Sequence, residues 1–280
     1  MKLPDRIGPY EVIGAAEPLD VEYDYALARI GDGVVMMKLV EVAGNHDDYI
    51  TMWLAELGLH QQLVHPNIAR VLDVGRTPAL MYCVSDVAPS RSLQSLIGKL
   101  TIDVAIAIAV EVCVGLHFAH EFHDLQIVHR RLTPRAIMVG NDGVKIHELG
   151  TSQMPRRKQP PQLTEKLRYL SPAQARGKPV DRRSDIYTLG AIIWEMTVGK
   201  PRITGHDPIE ILQAIGMHDA IPPSAHVPNY PKDLERIVMR ALERDPKKRF
   251  ATADELRMEL VALSSVASRD AVAVSLHEIK

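Results

Sequence analysis

Residues 127–150 read IVHRRLTPRAIMVGNDGVKIHELG. His129 and Arg130 open a loop, and Pro134 follows five residues after the His. Next come the apolar run Ile137–Val139, the tight-turn signal Asn141-Asp142-Gly143, a second β run and a stop at Gly150. Ionisable side chains on a loop, backed by a short hairpin that holds them still, are the usual build of an active-site segment. Three side chains sit oddly in it. Arg131 carries a fixed positive charge, Ala136 has no polar atom, and Glu148 is a long carboxylate close to the stop.

On the N-terminal side of this stretch the chain reads mainly as strands. YEVIG (10–14) is a short β run, and DYALARI and VVMMKLV flank Gly31-Asp32-Gly33 as a hairpin. Asp47–Val64 reads as a helix whose Asp47 and Asp48 suit the positive N-terminal end. Two further strands follow, IARVLDVG and ALMYCVSDV, and then the loop Ala88–Ser92. The sequence predicts a short helix over Ser92–Lys99 and a long one from Thr101 to His123, with Thr101 as N-cap and Asp103 in the first turn. On the C-terminal side, Thr151–Lys166 has no periodicity, three Pro and a basic run, which predicts a flexible loop. Ser184–Gly199 reads as a buried helix capped by Ser184 and stopped by Gly199. Helices are predicted near Pro208–Met217, Lys232–Glu243 and Thr252–Leu263, and a tail from Ser264.

The bulk composition narrows the class. A chain of 280 residues with 46% hydrophobic residues can bury a sizeable core, and 5% aromatics makes that core aliphatic. A net charge of −2 gives no pull toward nucleic acid or a membrane surface, so no nucleic-acid partner is expected. Cys83 and Cys113 match no metal or redox spacing and read as reduced thiols of a cytoplasmic protein. MKLPDRIGPYEV lacks the apolar core of a secretory signal. Ile102–Phe118 is the longest apolar run. It carries Asp103 and Glu111 and reads as a core helix, not a transmembrane segment.

Taken in order, several phrases resemble one family. VVMMK ends at Lys38; HPNIARVLDVG spans His65–Gly75; the loop frame IVHR.L.P..I.V spans Ile127–Val139; YLSPAQARGKPVDRRSDIYTLG spans Tyr169–Gly190; DPKKRF spans Asp245–Phe250. Together they resemble a protein kinase domain of the bacterial eukaryotic-like Ser/Thr type, over Tyr10–Leu263. The resemblance implies an α+β bilobal protein kinase fold. A small β-rich N-lobe with one main helix would span residues 1–88, a larger and mostly helical C-lobe 89–266, and a tail 267–280. It also implies ATP between the lobes and a protein substrate on the C-lobe.

The residues that such an enzyme needs are only partly present. By the resemblance, Lys38 is the strand lysine and Glu56 its helix partner. The stretch AAEPLDVEYDYAL, where glycines should let backbone N–H groups approach phosphates, has no glycine and carries Glu17, Asp20, Glu22 and Asp24. It reads as an ordinary acidic hairpin. Met36 takes the place of a small residue that packs on adenine, and its side chain fills part of that slot or simply belongs to the core. Arg131 stands at the position of the catalytic Asp and cannot accept a proton. Thr133 replaces the loop lysine, and Ala136 replaces a magnesium-binding Asn. Glu148 takes the place of the second metal-binding Asp and reads as a hydrogen-bonded or solvated carboxylate. Ser171-Pro172-Ala173 lacks the usual Glu, which leaves Arg249 to find water or another acid. Asp185, the anchor of the catalytic loop, is kept.

The expected activity is therefore that of a pseudokinase, a catalytically impaired kinase-like domain that works as a protein-binding scaffold or signalling regulator. It would need no cofactor, its nucleotide site being vestigial at Lys38, Glu56, Met36 and Glu148. Its expected partner is a protein, an active kinase or another signalling protein. Arg156, Arg157 and Lys158, flanked by Pro155 and Pro160-Pro161, are the first docking candidates, and Arg130, Arg131 and Arg135 form a second basic patch. The alternative is an atypical active Ser/Thr kinase that uses ATP and magnesium and recruits Asp124 or Glu148 as base. A third reading, a metal site on His117, His120 and His123, suffers because successive i+3 steps rotate away from one helix face.

Overall fold

The computed structural model describes residues 3–16, 18–19, 23–41, 51, 54, 57–58, 60–86, 90–124, 127–140, 142–149, 163–205 and 207–263. Six antiparallel strands come first, in the order β1-β2-β3-β4-β6-β5. They are β1 (Arg6–Ile7), β2 (Tyr10–Ala15), β3 (Asp24–Ile30), β4 (Gly33–Glu41), β5 (Val71–Arg76) and β6 (Leu80–Asp86). The expected hairpin closes with Ile30 opposite Gly33 and Gly31 at φ 56°. Alternation along β4 serves two apolar clusters. Val35, Met37 and Leu39 join Ala26, Ala28 and Val84 on one face, while Met36 and Val40 join Tyr23, Tyr25 and Cys83 on the other. The backbone is helical at the described residues between Thr51 and His60, inside the expected helix.

The chain then becomes mostly helical. Helix α1 (Ile102–His120) is capped by Thr101, whose side chain accepts from the Val104 amide at 3.4 Å. It ends before the expected His123, which lies outside it at φ 45°. This helix is long and apolar enough to cross a membrane, but here most of it is buried in the core. Helices α4 (Arg183–Val198) and α7 (Ala253–Val261) pack against it, and α6 (Lys232–Ala241) packs against α4. The remaining helices are α2 (Leu163–Leu167), α3 (Pro172–Ala175) and α5 (Pro208–Met217).

Three local expectations change. Ser92 caps only a 3-10 turn, Leu93–Ser95, because Ser90–Ser92 is spent as strand β7 against β8 (Ile137–Gly140). Residues 163–167, read as loop, form α2. Ser184 is not the cap of α4. The helix starts at Arg183, and Ser184 sits buried in its first turn, bonded to Ser171 Oγ at 3.1 Å.

Sheet and helical parts meet at a short β–β contact. Asn67 O accepts from Ile146 N, and Ile146 O accepts from Ala69 N, each at 2.9 Å. Ile146 belongs to β9 (Gly143–Ile146), which pairs with β8. The Asn67 amide donates to Glu111 of α1 at 2.8 Å and to Val144 O at 2.9 Å. Helix and strand come this close because residue 115 is Gly. A Cβ there would lie 2.9 Å from Asn67 O and 3.0 Å from Ile146 Cδ1. Gly115→Ala should therefore destabilise the protein by about 1–3 kcal/mol through overpacking, although Ala favours helix. Urea unfolding of the two proteins measures it.

Candidate functional site

The segment 129–149 lies between the two parts, and one carboxylate fixes its backbone. Asp185, in the first turn of α4, accepts from His129 N at 2.8 Å, Arg130 N at 2.9 Å and His120 Nε2 at 2.9 Å. Burial alone would raise its pKa. The bond and charge of His120, then His129 and the Arg130 amide, bring it below its ordinary value instead. Arg130 takes φ 66° to reach this anchor. Its carbonyl accepts from Gln174 Nε2 at 2.6 Å.

His129 is wholly buried and structural. Its Nε2–H donates to His147 O at 2.9 Å, while Nδ1 accepts from Arg131 N at 3.3 Å. That pattern suits the neutral ring, and burial lowers its pKa. His147 N in turn donates to Ala136 O at 2.8 Å, so the loop and the strand that follows it are sewn together. Burial pushes the His147 pKa down to about 4.

The side chains at the working positions are engaged with one another. Lys38 of β4 and Glu148 form an ion pair and are 4% and 9% exposed. Glu148 is thus hydrogen-bonded, as one of its two expected states, and not solvated; it sits at φ 66°, an uncommon value for a residue with a side chain. Arg131 Nη1 donates to the Tyr23 hydroxyl at 3.4 Å. Lys38 Nζ stands 3.8 Å from the Tyr23 ring centroid, Arg131 Cζ 5.9 Å and Lys166 Nζ 5.8 Å. Sequence reasoning missed Tyr23. It sits in the stretch read as an acidic hairpin, yet Leu19 and Tyr23 are both buried in the cluster that holds Met36. Met36 also lines an open hollow of about 470 Å³ with Lys38, Val71, Cys83, Ser85 and Glu148, so it serves as core and as pocket wall at once. Thr133 and Ala136 are buried.

The protein kinase domain family matches residues 26–261 of this chain. The chain belongs to the protein kinase family. It is 31% identical over 272 residues to a serine/threonine-protein kinase, PknB, of Mycobacterium tuberculosis, covering 92% of this chain and 43% of that protein. A probable serine/threonine-protein kinase of Clostridium perfringens is 30% identical over 84% of this chain and 35% of its own length. A tyrosine-protein kinase, MasK, of Myxococcus xanthus is 28% identical over 79% and 37%. The chain spans less than half the length of these relatives.

Magnesium, the metal of a working protein kinase, finds few ligands among the described residues of this site. Glu148, the one carboxylate at a metal-ligand position, is held by Lys38, and Ala136 offers only a buried methyl. Among the described residues no group of three His, Cys, Asp or Glu side chains is placed to hold a metal. Of the histidine ladder, His120 points at Asp185, while His123 packs edge-on against Phe122.

Arg249, stripped of the kinase family's Glu, has no direct acid partner among the described residues. Its guanidinium donates to three backbone carbonyls, Glu243 O at 2.6 Å, Arg183 O at 2.9 Å and Arg244 O at 3.1 Å, and lies 4.9 Å from the Tyr187 ring centroid. Burial pushes its pKa down to about 10. The Ser171-Pro172-Ala173 stretch is held instead by a reciprocal capping box between Ser171 and Gln174. Glu56, Glu17, Asp20, Glu22 and the basic run Arg156-Arg157-Lys158 lie outside the described residues.

The buried neutral histidines make stability depend on pH. His147 and His129 both have folded pKa values below the ordinary 6.5, so below that pH the unfolded chain binds more protons. Stability is complete above about pH 6.5 and falls as pH drops toward 4; His147 alone contributes on the order of 3 kcal/mol. Urea midpoints between pH 7.5 and 4.5 check this, and His147→Asn should flatten the slope.

Proposed function

We propose that this chain is a pseudokinase, a Ser/Thr protein kinase-like domain impaired in phosphoryl transfer, which acts by binding a protein as scaffold or signalling regulator. The Lys38–Glu148 ion pair carries the reading. A lysine that should meet phosphates and a carboxylate that should meet a metal neutralise each other in a buried site. Arg131 removes the general base, a loss worth about 10²- to 10⁴-fold in rate by itself. Ala136 removes a metal ligand independently. The frame around them, from Asp185 to His129, is intact, and an intact frame with its reactive groups engaged elsewhere suits a recognition surface. Arg156, Arg157 and Lys158 remain the proposed docking segment for an acidic protein surface, and an active kinase fits as partner.

The names of the relatives favour a second reading, an active Ser/Thr kinase that uses ATP and another acid as base. Glu148 would then have to leave Lys38. Two measurements separate these readings. Titration of the chain with ATP should show no gain in affinity on adding magnesium, and mass spectrometry after incubation with Mg-ATP should find no added phosphate. Sustained autophosphorylation, lost in Lys38→Met, overturns the pseudokinase reading.

A further inference from the structure

The hairpin β8–β9 serves both halves of the protein, one with each face. Ile137, Val139, Val144 and Ile146 lie in the core of the helical part. Met138 and Lys145, directly opposite each other in the register, lie on the other face. Met138 packs against the sheet cluster that holds Met36, Tyr25 and Cys83. Lys145 Nζ donates to Asp86 Oδ2 at 2.5 Å. Asp86 is the last residue of β6, and the chain itself crosses to β7 between Asp86 and Ser90. The other carboxylate oxygen of Asp86 accepts from the Arg70 amide at 2.7 Å, and the Asp86 amide donates to Arg70 O at 3.0 Å. Arg70 directly follows Ala69, whose amide bonds Ile146 across the seam. One carboxylate therefore ties the end of β6, the approach to β5 and strand β9 together at the crossing. An ordinary exposed pair contributes little, because both side chains are free to part and salt screens them. Here Lys145 and Asp86 are only 26% and 31% exposed, and the Arg70 amide fixes the carboxylate. Because Lys145 and Ile146 are consecutive, parting the sheet from the helical part must break this pair together with the Ile146 bridge.

We propose that Asp86 is an electrostatic latch: with Lys145 it holds the seam between the sheet and the helical part shut and fixes the angle at which the two meet. Salt or a competing charge releases it, and a released seam opens without unfolding either part. The latch uses none of Lys38, Arg131 and Glu148, so it goes beyond the pseudokinase reading and stands whichever way phosphate transfer is decided.

The test is amide hydrogen exchange of the whole isotope-labelled chain, followed by NMR. In Lys145→Met the amides of Ala69 and Ile146, which bond across the seam, should exchange roughly threefold faster or more than in the natural chain, while those of Ile192 and Ile193, buried in α4, keep their rates. Asp86→Asn keeps an acceptor for the Arg70 amide but removes the charge. It should give the same gain, and the double variant no more than either change alone. Raising the salt from about 0.05 M to about 1 M should speed the same two amides in the natural chain and not in Lys145→Met. Four results overturn the latch: unchanged rates at Ala69 and Ile146 in either single variant, gains that add in the double variant, a salt effect that survives Lys145→Met, or an equal gain at Ile192 and Ile193, which is general destabilisation. If Lys145→Met does not fold by circular dichroism, Lys145→Gln is judged by the same outcomes.

Discussion

Asp185 is a buried carboxylate to which no lysine or arginine side chain among the described residues is bonded. It is held by two backbone amides and one imidazole, all between 2.8 and 2.9 Å. A buried charge is tolerated only when its lone pairs are met, and here the partners join a helix end and a loop to the start of another helix. His120 closes helix α1, Asp185 opens helix α4, and the amides of His129 and Arg130 start the loop between them. From that point the order spreads outward. Arg130 O takes Gln174, His129 takes the carbonyl of His147, and His147 takes the carbonyl of Ala136. The backbone of the cleft is thus set by a network that uses none of the residues that would do chemistry.

That separation explains how a kinase frame tolerates such altered reactive positions. Lys38, Glu148, Arg131 and Tyr23 settle their charges among themselves, above a backbone held from below. Burial strengthens the Lys38–Glu148 pair and also makes it costly to strand either member. An isolated carboxylate at position 148 or an isolated ammonium at position 38 would be expensive in so dry a site, so each residue constrains the other.

Much of the fold was legible because its signals are local. The Gly31-Asp32-Gly33 turn, the Thr101 cap and the Gly199 stop are each fixed by neighbours a few residues away. The motif order from Lys38 to Arg249 gave the family and the altered positions. What stayed hidden depends on distant residues. The acidic composition around Tyr23 suggested an ordinary acidic hairpin, yet its hydroxyl accepts from Arg131, 108 positions on, and Lys166 lies near its ring. Glu148 read as a hydrogen-bonded or solvated carboxylate, and nothing in its own neighbourhood says that Lys38, 110 positions earlier, is its partner. Ser184 looked like a cap because a serine before an apolar run usually is one, but Ser171 takes its hydroxyl.

The carbonyl cage around Arg249 has a consequence of its own. Peptide oxygens do not titrate. An arginine clasped by a glutamate loosens once acid protonates the glutamate, whereas one clasped by Glu243 O, Arg183 O and Arg244 O has no proton-sensitive grip to lose. The clasp joins the start of α4 to the segment leading into α7, deep in the helical part. With Ala173 in place of a glutamate, the direct bonds of this clasp outlast acid, while the histidine-laced seam above it softens first.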